Sequence, residues 1–118
     1  MIAIVDDDEA VRVAMKSLVR SVGHHASTFA SVEEFLKSTQ FSNTSCIITD
    51  LQMPELSGLD LQEMLIARGH RFSIIFITGF PDENVRARAM KAGAVAFLTK
   101  PVNADQLLSY LDKAFKAA

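Results

Sequence analysis

The middle of the chain carries the stretch Cys46-Ile47-Ile48-Thr49-Asp50-Leu51-Gln52-Met53-Pro54. Its first four residues are apolar or β-branched, and they run directly into an aspartate. This pattern predicts a short buried strand with a carboxylate at the point where the chain leaves the sheet. A carboxylate held beside apolar residues is costly unless a positive charge or a metal ion neutralises it. The stretch therefore predicts that other parts of the chain bring partners to Asp50.

The composition indicates one soluble globular domain. With 118 residues, 49% apolar and 22% charged, the chain can bury an ordinary hydrophobic core. The net charge of -2, without a block of lysine and arginine, gives no electrostatic basis for binding nucleic acid or an anionic membrane. The single cysteine, Cys46, is expected to be a packed thiol. No stretch has the pattern of a signal peptide or a membrane span, so the predicted location is the cytoplasm.

Five predicted strands alternate with five predicted helices. The strands are residues 1–5, 25–29, 46–50, 73–77 and 95–98. Between them apolar residues recur every three or four positions, and capping residues and glycines mark the helix ends. The alternation predicts an α/β fold of parallel βα units, in which one sheet is covered by helices on both faces.

The last two predicted helices differ in the apolar surface that they can bury. The helix that Asp82 can cap offers only Val85, Ala89 and Ala92. We therefore expect this helix to be held weakly and to shift at modest cost. The final helix has a broader inward face, formed by Leu107, Leu111, Ala114 and Phe115.

Polar side chains follow four of the five predicted strands at the point where each strand ends. The carboxyl ends of parallel strands meet at one edge of a sheet, where α/β folds bind their ligands. Two acids, Asp6 and Asp7, follow the first strand, and the third strand ends in Asp50. The Thr78 hydroxyl follows the fourth strand, and Lys100 follows the fifth.

Carboxylates that meet at one edge repel one another unless a hard cation lies between them. Mg²⁺ prefers about six oxygen ligands, typically one or two carboxylates together with waters. The predicted ligands are Asp7 and Asp50, Asp6 through a water molecule, and the backbone carbonyl of Gln52.

A carboxylate in such a site can also attack phosphorus and form an aspartyl-phosphate, with Asp50 as the nucleophile. Phosphoryl transfer needs positioning and charge neutralisation from the protein. Lys100, the Thr78 hydroxyl and the Gly79 amide are predicted to meet those needs.

These residues resemble the receiver domain of two-component response regulators, of the FixJ type. The resemblance covers essentially the whole chain, residues 1–118, and it rests on Ile4-Val5-Asp6-Asp7-Asp8-Glu9, on Thr49 to Pro54 with Ser57-Gly58, on Ile77-Thr78-Gly79, on Met90-Lys91-Ala92-Gly93-Ala94 and on Phe97-Leu98-Thr99-Lys100-Pro101. It implies a single doubly wound (βα)5, flavodoxin-like domain with the strand order 2-1-3-4-5.

The resemblance also implies the roles of individual residues. Asp50 would be the phosphoacceptor, and Asp6 and Asp7 would form an acidic pocket for Mg²⁺ or Mn²⁺. Thr78 and Lys100 would contact the phosphoryl group, Phe97 would be a rotating switch aromatic, and the peptide bond between Lys100 and Pro101 would be cis.

The partners that the resemblance implies are a sensor histidine kinase and, after phosphorylation, a second copy of the chain. The domain would be a signalling phosphoacceptor and not an enzyme, and dimerisation would use the fourth helix and fifth strand. FixJ-type regulators usually continue into a DNA-binding domain, so the chain is expected to be a receiver taken from such a regulator or a stand-alone regulator.

Two other functions fit parts of this pattern. A phosphatase of the haloacid-dehalogenase kind also places an aspartate after a strand, but it needs a second acid two residues later, where this chain has Gln52. A phosphate-independent interaction module would not need the full set of polar residues at the strand ends.

One departure from the family pattern is Phe80-Pro81, which follows the Thr-Gly step and bears on the lifetime of a phosphorylated state.

Overall fold

The computed structural model describes residues 1–116. Within this range, strands and helices alternate as β1 (Ile2–Val5), α1 (Glu9–Ser21), β2 (Ala26–Phe29), α2 (Val32–Lys37), β3 (Cys46–Asp50), α3 (Gly58–Ala67), β4 (Ser73–Thr78), α4 (Glu83–Lys91), β5 (Ala96–Thr99) and α5 (Ala104–Lys116), and a 3-10 turn, Phe41–Asn43, precedes β3. The sheet has the order β2-β1-β3-β4-β5 and every neighbouring pair is parallel. The predicted doubly wound α/β fold and its strand order are confirmed.

The helices begin at residues whose side chains accept hydrogen bonds from the first turn. Helix α3 begins with a capping box, in which the Ser57 hydroxyl accepts from the Asp60 amide and the Asp60 carboxylate accepts from the Ser57 amide. Such caps satisfy amide groups that have no partner inside the helix. The cap residues are Asp8, Ser31, Ser57, Asp82 and Asn103.

Alternate residues of each strand face two separate hydrophobic layers. One layer packs α1 and α5 against the sheet, and its members include Ile4, Ile48, Ile75 and Leu107. The other packs α2, α3 and α4 against the opposite face, and its members include Val5, Ile47, Leu61, Phe76 and Ala89. Because both faces are covered, β1 is apolar throughout, and β3 and β4 have unbroken apolar runs at residues 46–48 and 74–77 before their polar carboxyl ends.

The apolar residues that hold α4 differ from the predicted set at one position. Ala89 is fully buried and Val85 and Met90 are half-buried, but Ala92 is exposed. The prediction for Ala92 is wrong because the helix ends at Lys91 and the chain then turns through Gly93, whose φ is 105°. The apolar attachment of α4 therefore consists of one fully buried residue, Ala89, and of the half-buried Val85 and Met90.

The inward placement predicted for Phe115 is also wrong. Its side chain is 36% exposed and stacks on the His24 ring, with 4.7 Å between the ring centroids. Leu107, Leu111 and Ala114 are buried as predicted. Within residues 1–116, no helix combines the length and the apolar character needed to cross a bilayer.

Candidate functional site

The carboxyl edge of the sheet brings together the polar residues that the sequence places at the strand ends. Asp50 is the last residue of β3 and Thr78 the last of β4, while Asp6 directly follows β1 and Lys100 directly follows β5. Because β1, β3 and β4 are neighbours in the sheet, their ends meet at one point.

Three carboxylates form the acidic part of the site. Asp6, Asp7 and Asp50 each offer an oxygen atom, and these atoms all lie within 4.8 Å of one another. Asp6 and Asp50 are buried, at 0% and 6% exposure, whereas Asp7 is exposed. The cluster therefore has one side open to solvent, through which a small ligand can enter.

Lys100 is the cation that faces this cluster. Its Nζ lies 3.1 Å from Asp50 Oδ2, which accepts a hydrogen bond from it, and 3.1 Å from Asp6 Oδ2. Burial alone would lower the pKa of Lys100, but the hydrogen bonds and negative charges of the two aspartates outweigh it and raise that pKa. The lysine is therefore held in its charged form at neutral pH.

Among the three acids, Asp6 is the one whose pKa is raised. Burial raises its pKa above the ordinary value of 3.8, and the charge of Asp50 adds to the effect. The Asp8 amide, which donates to Asp6 Oδ1 at 2.8 Å, and Lys100 oppose the shift only in part. Oδ2 has an ion-pair contact with Lys100 but no well-directed hydrogen-bond donor among residues 1–116.

The orientation of the Asp50 carboxylate is fixed at both oxygen atoms. Oδ1 accepts a hydrogen bond from the Gln52 amide at 3.1 Å, and Oδ2 accepts the bond from Lys100. The backbone amide of Lys100 also donates to the Thr78 carbonyl at 2.7 Å, and the Lys100–Pro101 peptide bond is cis. The hydrogen bond between Lys100 and Thr78 attaches the end of β5 to that of β4.

Thr78 and Phe97 lie near each other on adjacent strands. Thr78 is buried, and its Oγ1 accepts a hydrogen bond from the Phe80 amide at 3.0 Å. Phe97 is half-buried, with its ring centroid 6.3 Å from that of Phe76, its register partner on β4. Gly79 is exposed at the rim of the site, and the Phe80 side chain is 73% exposed.

One feature of the site was not found from the sequence: the approach of α3 to Asp50. The Gly58 amide donates to the Leu51 carbonyl at 3.1 Å. A Cβ atom on Gly58 would lie 2.5 Å from the Asp50 carbonyl oxygen and 3.1 Å from Phe76 Cε1. Only glycine fits here. In the sequence, Gly58 was distinguished only as part of the Ser57-Gly58 pair in the family resemblance.

The donor set fits a hard divalent cation. Three carboxylates supply oxygen ligands of the kind that Mg²⁺ and Mn²⁺ take. Asp6 Oδ2 is buried and contacts Lys100, but it has no well-directed hydrogen-bond donor in the described part of the chain. A cation would relieve the repulsion that a single lysine leaves uncompensated.

The chain is similar to known proteins over its whole length. The family model described as "Response regulator receiver domain" matches residues 2–112. The chain is 45% identical over 118 residues to "Response regulator protein TodT" of Pseudomonas putida, which covers 100% of this chain and 52% of that protein. It is 33% identical over 117 residues to "Transcriptional regulatory protein FixJ" of Bradyrhizobium diazoefficiens, which covers 99% of this chain and 57% of that protein.

Solved structures show the same similarity in three dimensions. The structure titled "Crystal structure of FixJ-N" has a TM-score of 0.86 and 31% identity, and the match covers 99% of this chain and 94% of that one. The chain spans about half the length of the relatives TodT and FixJ, at 52% and 57%.

Proposed function

Because the chain belongs to the response regulator receiver domain family, we propose that Asp50 accepts a phosphoryl group from a sensor histidine kinase. The observation that carries this proposal is the position of Asp50, which lies within 4.8 Å of two further carboxylates and is hydrogen-bonded to Lys100. A buried aspartate that is oriented at both oxygens and faces a lysine is suited to attack phosphorus.

In the transfer step, an Asp50 oxygen forms a bond to phosphorus while the bond between phosphorus and the donor imidazole nitrogen breaks. The electron pair of that bond returns to the imidazole. The Gln52 amide and Lys100 orient the attacking carboxylate, and Lys100 also neutralises part of the charge on the phosphoryl oxygens. A Mg²⁺ or Mn²⁺ ion held by Asp6, Asp7, Asp50 and the Gln52 carbonyl would supply the remaining neutralisation.

The phosphoryl group would also be contacted by the Thr78 hydroxyl and the Gly79 amide. Movement of Thr78 toward the phosphoryl oxygens would leave space beside β4, and Phe97 would turn further inward to fill it. This proposal is supported by the half-buried position of Phe97 next to β4 and by the attachment of α4, which buries Ala89 alone. A helix with so few buried contacts can shift at low cost.

The proposed output is a change in the surface formed by α4 and β5. Self-association through this surface would use the charged outer face of α4, although two of its arginines already have partners: Arg86 pairs with Glu83 at 2.6 Å, and Arg88 pairs with Glu63 of α3. Lys91 has no ion-pair partner among residues 1–116 and is the charge best placed for a second copy.

The relatives are longer transcriptional regulators, so we propose that the receiver controls an output domain, which by its family is expected to bind DNA. The alternative is a stand-alone regulator that acts through protein contacts alone. Both share the same phosphorylation chemistry and differ only in what reads the switched surface.

Intact-mass spectrometry tests the phosphoacceptor assignment. Incubation with a small-molecule phosphoryl donor and magnesium should add one phosphoryl group to the wild-type chain and none to Asp50→Asn. The matched control is Asp105→Asn, an exposed acid in the first turn of α5, which should label as the wild type does. Labelling of Asp50→Asn at the wild-type rate would place the nucleophile elsewhere.

Sedimentation tests the proposed output. The unmodified chain should be monomeric and the phosphorylated chain dimeric, and Lys91→Glu should weaken the dimer without affecting labelling. A phosphorylated chain that stays monomeric would move the output surface away from α4 and β5.

A further inference from the structure

Helix α3 connects the Asp50 backbone to α4. Its first residue, Gly58, lies so close to the Asp50 carbonyl oxygen that a Cβ atom would be 2.5 Å away. The backbones of Gly58 and Asp50 are therefore packed with no room for a side chain, and the Gly58 amide donates to the Leu51 carbonyl at 3.1 Å. A displacement of the Asp50 backbone toward α3 would press on the first turn of that helix. Four residues later, on the same face of the helix, lies Gln62.

Gln62 is a buried polar residue at 3% exposure. Its Nε2 donates a hydrogen bond of 3.1 Å to the carbonyl of Ala89 in α4. This carbonyl is one of the last in α4, and it also accepts from the Ala94 amide at 3.1 Å. Gln62 thus bonds to α4 at its one fully buried residue and close to the point where that helix ends.

The other polar contact between the two helices is of a different kind. Glu63 and Arg88 form an ion pair whose side chains are 55% and 64% exposed. Exposed ion pairs contribute little because water screens them. The buried Gln62 bond is therefore the polar contact that fixes where α4 lies on α3.

A cavity lies next to this bond, at the end of α4. It has a volume of about 360 Å³ and lies between the end of α3, the start of β4 and the end of α4, lined by residues that include Gln62, Leu65, Ile66, Phe72, Ala92 and Gly93.

We propose that Gln62 is a positioning residue of the switch: its bond to Ala89 holds α4 in the unphosphorylated position, and phosphorylation of Asp50 breaks that bond through α3. This coupling between Asp50 and α4 rests on the proposed function. It differs from the coupling through Thr78 and Phe97, because it runs through helix α3 and not through strands β4 and β5. Loss of the bond should raise the population of the shifted helix about three- to tenfold, the ordinary effect of one neutral hydrogen bond.

The test compares Gln62→Met with wild type, since methionine has nearly the same length and no donor. Beryllium trifluoride with magnesium serves as the phosphoryl mimic, and its affinity is measured by titration. A ligand that prefers the shifted state binds more tightly when the resting state is weakened, so Gln62→Met should bind the mimic about three- to tenfold more tightly. A purely structural role would lower stability and leave the affinity unchanged or weaker.

Amide hydrogen exchange on the unmodified chains supplies a second readout. Gln62→Met should accelerate exchange in α4 and leave α1 unchanged. Glu63→Gln, which removes only the exposed ion pair, should leave both readouts within about twofold of wild type. If Gln62→Met does not fold, Gln62→Asn, whose shorter amide cannot span the same distance, should give the same result.

The proposed role of Gln62 would be overturned if the wild type binds the mimic but the folded Gln62 variant binds it no more tightly. The proposed function would then still stand. A wild-type chain that does not bind the mimic at all would overturn the proposed function and this inference with it.

Discussion

Gly58→Ala tests the contact on which the connection between Asp50 and α3 depends. The added methyl group would lie 2.5 Å from the Asp50 carbonyl oxygen, a distance that real Cβ atoms do not adopt. It would also lie 3.1 Å from Cε1 of the buried Phe76 ring. Neither neighbour is the end of a flexible side chain, so α3 or the end of β3 must move.

The size of the effect follows from these contacts. Inserting a methyl group into a packed site costs about 1–3 kcal/mol, and contact with backbone favours the upper half of that range. Alanine recovers at most about 1 kcal/mol through its better helix propensity. The net loss is about 1–2 kcal/mol, which for a domain of this size lowers Tm by about 4–8 °C.

Thermal unfolding by circular dichroism measures this change. The matched control is Gly79→Ala, because a Cβ atom at Gly79 would meet nothing within 4 Å and the glycine has no positive φ. Its Tm should stay within about 2 °C of wild type, the scale expected for an unstrained surface change. A Gly58→Ala variant as stable as Gly79→Ala would show that α3 yields freely, and the rigid link between Asp50 and α3 would be refuted.

Three further predictions concern the charged site and the buried thiol. Magnesium at about 100 times its Kd should stabilise the fold by about 2.7 kcal/mol in thermal unfolding, and Asp7→Asn should abolish the gain. Burial raises the pKa of Asp6 above 3.8, so the fold favours the protonated acid and stability from this group is lost as pH rises through the raised pKa. In urea titrations without divalent ions, Asp6→Asn should therefore be more stable than wild type at neutral pH, and the advantage should vanish on acidification; an advantage that persists below 3.8 would contradict the assignment. Burial raises the pKa of Cys46 from 9.0 to about 12, so a thiol reagent at pH near 8 should label the folded chain about a thousandfold more slowly than the unfolded chain; labelling at similar rates would mean an accessible thiol.

The sheet and the meeting of polar residues at its edge were predictable because they follow from local pattern. A run of apolar residues that ends in an acid marks a buried strand and its end, and β3 does end at Asp50. Parallel strands then place Asp6, Asp50, Thr78 and Lys100 at one edge, whatever the exact packing of the helices. The strand order itself came from family resemblance, since alternation of strands and helices does not determine it.

What the sequence did not predict depends on how the helices pack. Ala92 looked like a member of the buried face of α4, but that helix ends one residue earlier. The sequence suggests a surface position for Gln62, because glutamine is usually exposed. Its burial depends on the distance between α3 and α4, and no pattern within either helix encodes that distance.

The charges at the site bear on the proposed pairing of a divalent cation with a phosphoryl group. Three carboxylates face one lysine, and that lysine already makes ion pairs with Asp6 and Asp50. A phosphoryl group adds a further charge of about -1.5 to -2 at neutral pH, which Lys100 cannot balance alone. A divalent ion lowers the cost of that charge, and the phosphoryl oxygens in turn add ligands for the ion. Binding of the one must therefore favour binding of the other by the same factor, because their coupling is reciprocal.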